Sequence, residues 1–103
     1  MVYADASSTG CGGYLVEHGG MVASGQWSEA EALQSSTWRE LRAVRFVLES
    51  FQSQFANEWV RWFSDNQNVV RIVMYGSRKP DLQAEALAIF SISVRHHIRI
   101  EPE

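Results

Sequence analysis

The feature that most restricts this chain is a change of hydrophobic period. From Ser36, the residues Leu41, Val44, Leu48, Phe51 and Phe55 recur at spacings of three and four, with Arg39, Arg42, Arg45 and Glu49 on other faces, the pattern of one long amphipathic helix. Three short extended stretches precede it. Val2-Tyr3-Ala4 runs into Asp5, and the stretches Gly13 to His18 and Met21 to Trp27 flank a Gly19-Gly20 hairpin turn. Trp59 to Phe63, rich in aromatic and β-branched residues, follows the helix. A strand, a helix and a further strand require a crossover with parallel strands. Val69, Val70, Ile72 and Val73 then mark a second helix, which Gly76 to Pro80 breaks. Leu82, Ala86, Ile89 and Phe90 mark a third, with Pro80 near its first turn, and His97 to Glu101 reads as a last strand. The expected class is α/β: a mixed five-stranded sheet flanked by helices, in the order βββαβααβ, without internal repeat or linker.

Composition agrees with one such unit. At 103 residues with 46% apolar and 12% aromatic content, the chain fits a single domain, 1–103, with a hydrophobic core. No apolar run is long enough to cross a bilayer and Met1 leads straight into a strand, so the expected setting is intracellular, cytoplasm or nucleus, with no membrane partner. The lone Cys11 has no partner for a disulfide or a zinc site, which suits a reducing compartment. A formal charge of -3 argues against strong intrinsic affinity for nucleic acid, which depends on cations displacing counterions. Eight of the nine basic residues are arginines, however, and arginine suits bidentate phosphate contacts.

Three carboxylates stand where an α/β sheet collects ligands. Asp5 and Asp65 each follow a strand, beyond its carboxyl end, where loops and helix N-termini converge. Glu40 begins the stripe of Val44, Val47 and Phe51 that faces the sheet. Like charges gathered at one edge raise one another's pKa and oppose folding unless they share a cation, and hard Mg²⁺ or Mn²⁺ suits oxygen ligands.

The blocks Tyr3-Ala4-Asp5-Ala6-Ser7, Trp38-Arg39-Glu40-Leu41-Arg42-Ala43 and Phe63-Ser64-Asp65-Asn66-Gln67, in that order on that pattern of elements, resemble the successive catalytic blocks of ribonuclease H. Within that family the sequence is most similar to the ribonuclease H-like domains attached to reverse transcriptases of retrotransposons, the DIRS-type elements in particular. The aspartate, glutamate, aspartate order differs from the aspartate, aspartate, glutamate order of related integrases and transposases. The resemblance implies a ribonuclease H-like fold and an endonuclease that hydrolyses the RNA strand of an RNA/DNA hybrid during reverse transcription. It implies Asp5, Glu40 and Asp65 as catalytic and metal-binding residues, with two ions about 4 Å apart activating water and stabilising the leaving 3′ oxygen. It places Ser7, Ser8, Thr9 and Gly12, then Ser36 and Thr37, then Asn66 and Gln67, where the family touches its substrate, some of them reaching the 2′-hydroxyl. The implied partner is the reverse transcriptase portion of the same polyprotein.

The chain also departs from the family. The family's fourth carboxylate lies on a helix after the last strand, and a histidine precedes it in many members; the 103 residues stop short of both, so the resemblance implies a domain lacking its C-terminal helix. Neither Asp81, Glu101 nor Glu103 matches that carboxylate, and neither His96 nor His97 matches that histidine. The family's inserted basic helix is reduced to Arg78 and Lys79 at most. A catalytically incomplete module that binds nucleic acid or connects parts of a polyprotein is therefore the alternative function.

Each block has an ordinary structural explanation as well. Thr37-x-x-Glu40 is a capping-box pattern, Ser64-Asp65 a helix N-cap, and Asp5 a turn former. Their joint occurrence in one order favours the site. Gly10 to Gly13 read as turn chemistry, Trp59 and Trp62 as core, Arg39, Arg42 and Arg45 as a solvated helix face ahead of a phosphate-binding stripe, and His96-His97 as a surface pair beside a strand.

Overall fold

The computed structural model describes residues 2–15, 21–57, 59–64 and 66–102. Strands β1 (Val2–Ala6), β2 (Gly10–Leu15) and β3 (Met21–Gln26) form an antiparallel meander. The hairpin turn expected at Gly19-Gly20 lies outside the described residues. A one-turn helix α1 (Glu29–Ala32) leads to the long helix α2 (Ser36–Ser50), and a second one-turn helix α3 (Gln52–Phe55) follows it. Next come β4 (Trp59–Phe63), α4 (Gln67–Tyr75), α5 (Pro80–Arg95) and β5 (Arg99–Pro102). The sheet order is β3-β2-β1-β4-β5, with β4 parallel to both β1 and β5. The mixed five-stranded sheet flanked by helices is thus the one expected, with two single-turn helices added.

The core lies between one face of the sheet and the helices. Val44, Val47 and Leu48 of α2 and Phe51 just beyond it pack with Val2, Val60 and Trp62 from the strands and with Val69, Ile72, Leu82, Ala86 and Ile89 from α4 and α5. The single helix expected over Ser36–Phe55 is interrupted at Phe51, whose φ of -118° and ψ of 22° leave the helical region while its ring stays buried against Phe55. Gly10 to Gly13 belong to β2 rather than to a turn. Their use is close approach: a Cβ on Gly13 would collide with Val47, so α2 lies directly on the strand there.

The opposite face is marked by the alternation in β4. Val60 and Trp62 point into the core, while Trp59 is 63% exposed and Phe63 42% exposed. Trp59 therefore does not join the core as expected; residues three apart on a strand face opposite ways. It carries the Arg99 guanidinium 4.5 Å over its ring, and Phe63 meets Tyr3 with ring centroids 5.4 Å apart. Phe90 is also exposed, because the buried stripe of α5 runs through Leu82, Glu85, Ala86, Ile89 and Ile92.

Two of the arginines expected on a solvated face are structural. Arg45 donates from Nη1 to Glu85 Oε2 at 3.1 Å and from Nε to Glu49 Oε1 at 2.7 Å, and Arg42 Nε stands 3.8 Å from Glu85 Oε1 and 3.9 Å from Glu31 Oε2. Glu85, 7% exposed, is thus sandwiched between α2 and α5 by guanidinium groups. Burial opposes the charge on Arg45, yet its hydrogen bond to Glu49 and the charges of Glu85 and Glu49 raise its pKa overall. Burial likewise pushes the Cys11 thiol up, with nearby Arg42 pulling the other way. His96 and His97 sit in the turn that closes α5 rather than beside a strand position: His96 N–H donates to Ile92 O, and His97 has a φ of 55°. Among the described residues, no helix is long and apolar enough to cross a membrane.

Candidate functional site

Asp5 is exposed near the end of β1, which is hydrogen-bonded to β2 on one side and to β4 on the other. The chain turns immediately after it. Ser7 N–H donates to Gly10 O at 2.8 Å, and Ser7 Oγ accepts from Thr9 N and Gly10 N at 3.3 and 3.2 Å, closing the β1–β2 turn. Serine and threonine hydroxyls make such turns by substituting for backbone acceptors. Asp5 itself accepts from Ala6 N–H through Oδ1 at 2.9 Å.

Glu40 reaches the same place from α2. The capping-box explanation of this residue does not hold: the N-cap of α2 is Ser35, whose hydroxyl accepts from Trp38 N at 3.1 Å, so Glu40 lies one turn into the helix and its carboxylate is unconnected to the cap. The capping box of this chain is elsewhere, between Ser28 and Glu31 at the start of α1. Glu40 is half-buried, and its Oε2 accepts from Asn66 Nδ2 at 2.6 Å. Asn66 also settles the second ordinary reading. It, rather than Ser64 or Asp65, caps α4, its Oδ1 accepting from Asn68 N and Val69 N at 3.0 and 3.3 Å. With the oxygen committed to the helix, the amide nitrogen is the atom left to face Glu40.

Asp5 and Glu40 line one cleft of about 290 Å³, walled by Tyr3, Trp62, Phe63 and Ser64, and among the described residues no basic side chain lines it. Asp65 lies outside the described residues, so the third carboxylate of the expected trio has no described position. Among the described residues no group of three histidine, cysteine, aspartate or glutamate side chains is close enough to hold an ion. The donor set of the cleft nevertheless fits a hard divalent cation: two carboxylates open onto one cavity, no imidazole or thiolate lines it, and Glu40 faces a neutral amide rather than a cation.

The expected substrate-contacting residues divide into two groups. Ser7, Thr9 and Gly12 share with Asp5 an adjoining open groove of about 340 Å³, and Gly12 is the cross-strand partner of Asp5. Ser8 is exposed in the same turn. Asn66 joins the cleft through its bond to Glu40. Ser36 and Thr37 occupy the first turn of α2 and Gln67 is exposed at the start of α4; these three line neither cavity. Arg39, expected on a solvated helix face, instead binds the β1–β2 turn. Its Nη1 donates to Ser7 O at 3.3 Å, on a carbonyl that also accepts from Trp27 Nε1 at 2.8 Å.

A meander of three antiparallel strands, a crossover helix, two further parallel-paired strands, and a carboxylate cleft at the end of the central strand define a ribonuclease H-like fold. Two solved structures share it. The chain superposes on ribonuclease H1 from the halophilic archaeon Halobacterium salinarum with a TM-score of 0.78 and 16% sequence identity, covering 99% of this chain and 83% of the other. It superposes on LC11-RNase H1, isolated from compost by a metagenomic approach, with a TM-score of 0.78 and 18% identity, covering 99% of this chain and 80% of the other. No family model matches the sequence, and no curated protein matches it.

Proposed function

We propose that the chain is a single ribonuclease H-type nuclease domain that hydrolyses the RNA strand of RNA/DNA hybrids, and that it serves reverse transcription in a retroelement of the DIRS type beside the reverse transcriptase of the same polyprotein. The observation that carries the reading is the convergence of Asp5 and Glu40 on one cleft with no cation to balance them. Asp5, Glu40 and Asp65 are the residues that would hold Mg²⁺ or Mn²⁺. Bound there, two such ions would supply a deprotonated water at neutral pH and offset charge on the leaving 3′ oxygen. The protein's own contribution is positional. β1 and α2 bring two carboxylates to one cleft, Asn66 hydrogen-bonds Glu40 there, and the groove of Ser7, Thr9 and Gly12 offers hydroxyl and backbone groups to a sugar-phosphate strand passing Asp5. The retroelement setting rests on the three sequence blocks alone.

Cleavage tests this reading. With Mg²⁺ or Mn²⁺, the protein is expected to cut the RNA strand of a labelled hybrid and to leave the DNA strand whole. Asp5→Asn and Glu40→Gln are expected to leave no cutting above background. Binding of the hybrid without cleavage by the unsubstituted protein would instead support a nucleic-acid-binding or connecting module.

A further inference from the structure

Three separate stretches of chain meet at one backbone oxygen beside the carboxylate cleft. Ser7 O lies two residues beyond Asp5. It accepts from Trp27 Nε1, just past the end of β3, and from Arg39 Nη1, one residue before Glu40 on α2. Trp27 is itself anchored to the turn, since its N–H donates to Thr9 O at 3.0 Å. Its ring meets that of Trp38 with centroids 6.2 Å apart and planes at 57°, so the start of α2 contributes a second contact through the residue preceding Arg39. Successive residues on a helix point about 100° apart, so Arg39 can turn toward the β1–β2 turn while Glu40 faces the cleft.

Ordinary packing does not account for the guanidinium. Arg39 has no carboxylate partner among the described residues, unlike Arg42 and Arg45, and its Nε is buried without a hydrogen-bond partner. A buried donor left unpaired is unfavourable, and a neutral side chain would fill the same space without that cost. What arginine adds is a rigid planar donor that reaches from the helix bearing Glu40 to the turn bearing Asp5.

We propose that Arg39, seated on the Ser7 carbonyl together with Trp27, is a positioning residue that fixes the spacing of Asp5 and Glu40 and so sets the affinity of the cleft for a divalent cation. The proposal rests on the metal-site reading above. Groups that orient ligands from behind commonly alter metal affinity by about 10–100-fold when removed. The contact acts before any ion arrives: the turn is held to α2 in the metal-free protein.

Two measurements on the same proteins test it. Mn²⁺ titration followed by electron paramagnetic resonance is expected to show about tenfold weaker binding for Arg39→Ala, a smaller loss for Arg39→Lys, which restores one donor, and a loss for Trp27→Phe, which keeps a ring but removes the N–H. Amide exchange of the metal-free proteins is expected to be faster at Ser7 and Gly10 in Arg39→Ala while α5 is unchanged. A purely structural Arg39 would lower the melting temperature and leave Mn²⁺ affinity at the unsubstituted value, and that result overturns the proposal. If the unsubstituted chain itself shows no saturable Mn²⁺ binding, the metal-site reading falls first and the positioning role with it. Saturable binding that Arg39→Ala and Trp27→Phe leave intact removes the positioning role alone.

Discussion

Helix α2 carries acids and bases into two environments that treat charge in opposite ways. Toward α5, Arg42 and Arg45 close on the buried Glu85, and Glu49 and Glu31 complete a network in which opposite charges are matched. Toward the end of β1, Glu40 and Asp5 open onto a cleft where, among the described residues, the polar group bound to Glu40 is a neutral amide. A buried ion pair is costly to desolvate and costly to break, so its value lies in holding two helices in one arrangement. Two carboxylates that open onto a cavity without a cationic partner among the described residues add little to the fold, and such groups are candidates for binding. Residue type therefore says little until the partner is known: Glu85 is part of the scaffold, and Glu40 lines the cleft.

The largest expected effect breaks the site side of this contrast. Asp5→Asn or Glu40→Gln is expected to lower hybrid cleavage by more than about a hundredfold, since loss of a ligand should exceed the loss seen for groups behind ligands. The same variants are expected to change the metal-free stability by no more than about 0.5 kcal/mol, because neither carboxylate balances a cation. Circular dichroism melts without and with Mn²⁺ check both halves: the ion should raise the melting temperature of the unsubstituted chain and not that of Asp5→Asn.

Glu85→Ala inverts the pattern. It strands two guanidinium groups between α2 and α5, and the expected loss is about 2–3 kcal/mol, reduced from the fully buried case because both arginines are partly exposed. In a domain of this size that corresponds to a fall of about 10 °C in the melting temperature. Mn²⁺ affinity should be retained wherever the protein remains folded.

Asn66 sits on the boundary between the two roles. Asn66→Ala is expected to cost about 1 kcal/mol through loss of the α4 cap and to weaken Mn²⁺ binding about tenfold by freeing Glu40. Asn66→Ser separates the two: its hydroxyl can still cap α4, so urea unfolding should show near-normal stability, while the lost amide donor frees Glu40.

The smallest effect concerns Glu31. The backbone hydrogen bond from Ser28 is the largest cause of its lowered pKa; burial opposes it, and the Ser28 hydroxyl and the charge of Arg42 add smaller lowering effects. A carboxylate depressed in the folded state contributes stability above its ordinary pKa and loses it as pH falls through the folded value. Denaturation of Glu31→Gln should accordingly show a deficit at neutral pH that narrows below about pH 4.5.

Much of this arrangement was legible in the sequence, and the exceptions have physical causes. The change of period located α2, and the serine, glycine and proline signals located the breaks on both sides of α4, the second of which also starts α5. Asp5 and Glu40 were found by their place at element ends within short blocks. Trp59 was assigned to the core because it is large and apolar, although the alternation with Val60 and Trp62 already placed it on the far face. The cap of α2 was displaced from Thr37 to Ser35 because a run of Ser35, Ser36 and Thr37 offers several equivalent N-caps, and tertiary packing selects among them. Glu85, the Arg39 contact and the bond from Asn66 to Glu40 join residues 26 to 40 positions apart. No local pattern records such pairs.

The account turns on whether the cleft between β1 and α2 holds a divalent ion. Crystals soaked in Mn²⁺ and measured at the manganese absorption edge address this directly. An anomalous peak within coordination distance of both Asp5 and Glu40 carboxylates is the predicted result. Well-ordered carboxylates with no peak between them, or manganese only at other sites, would contradict it.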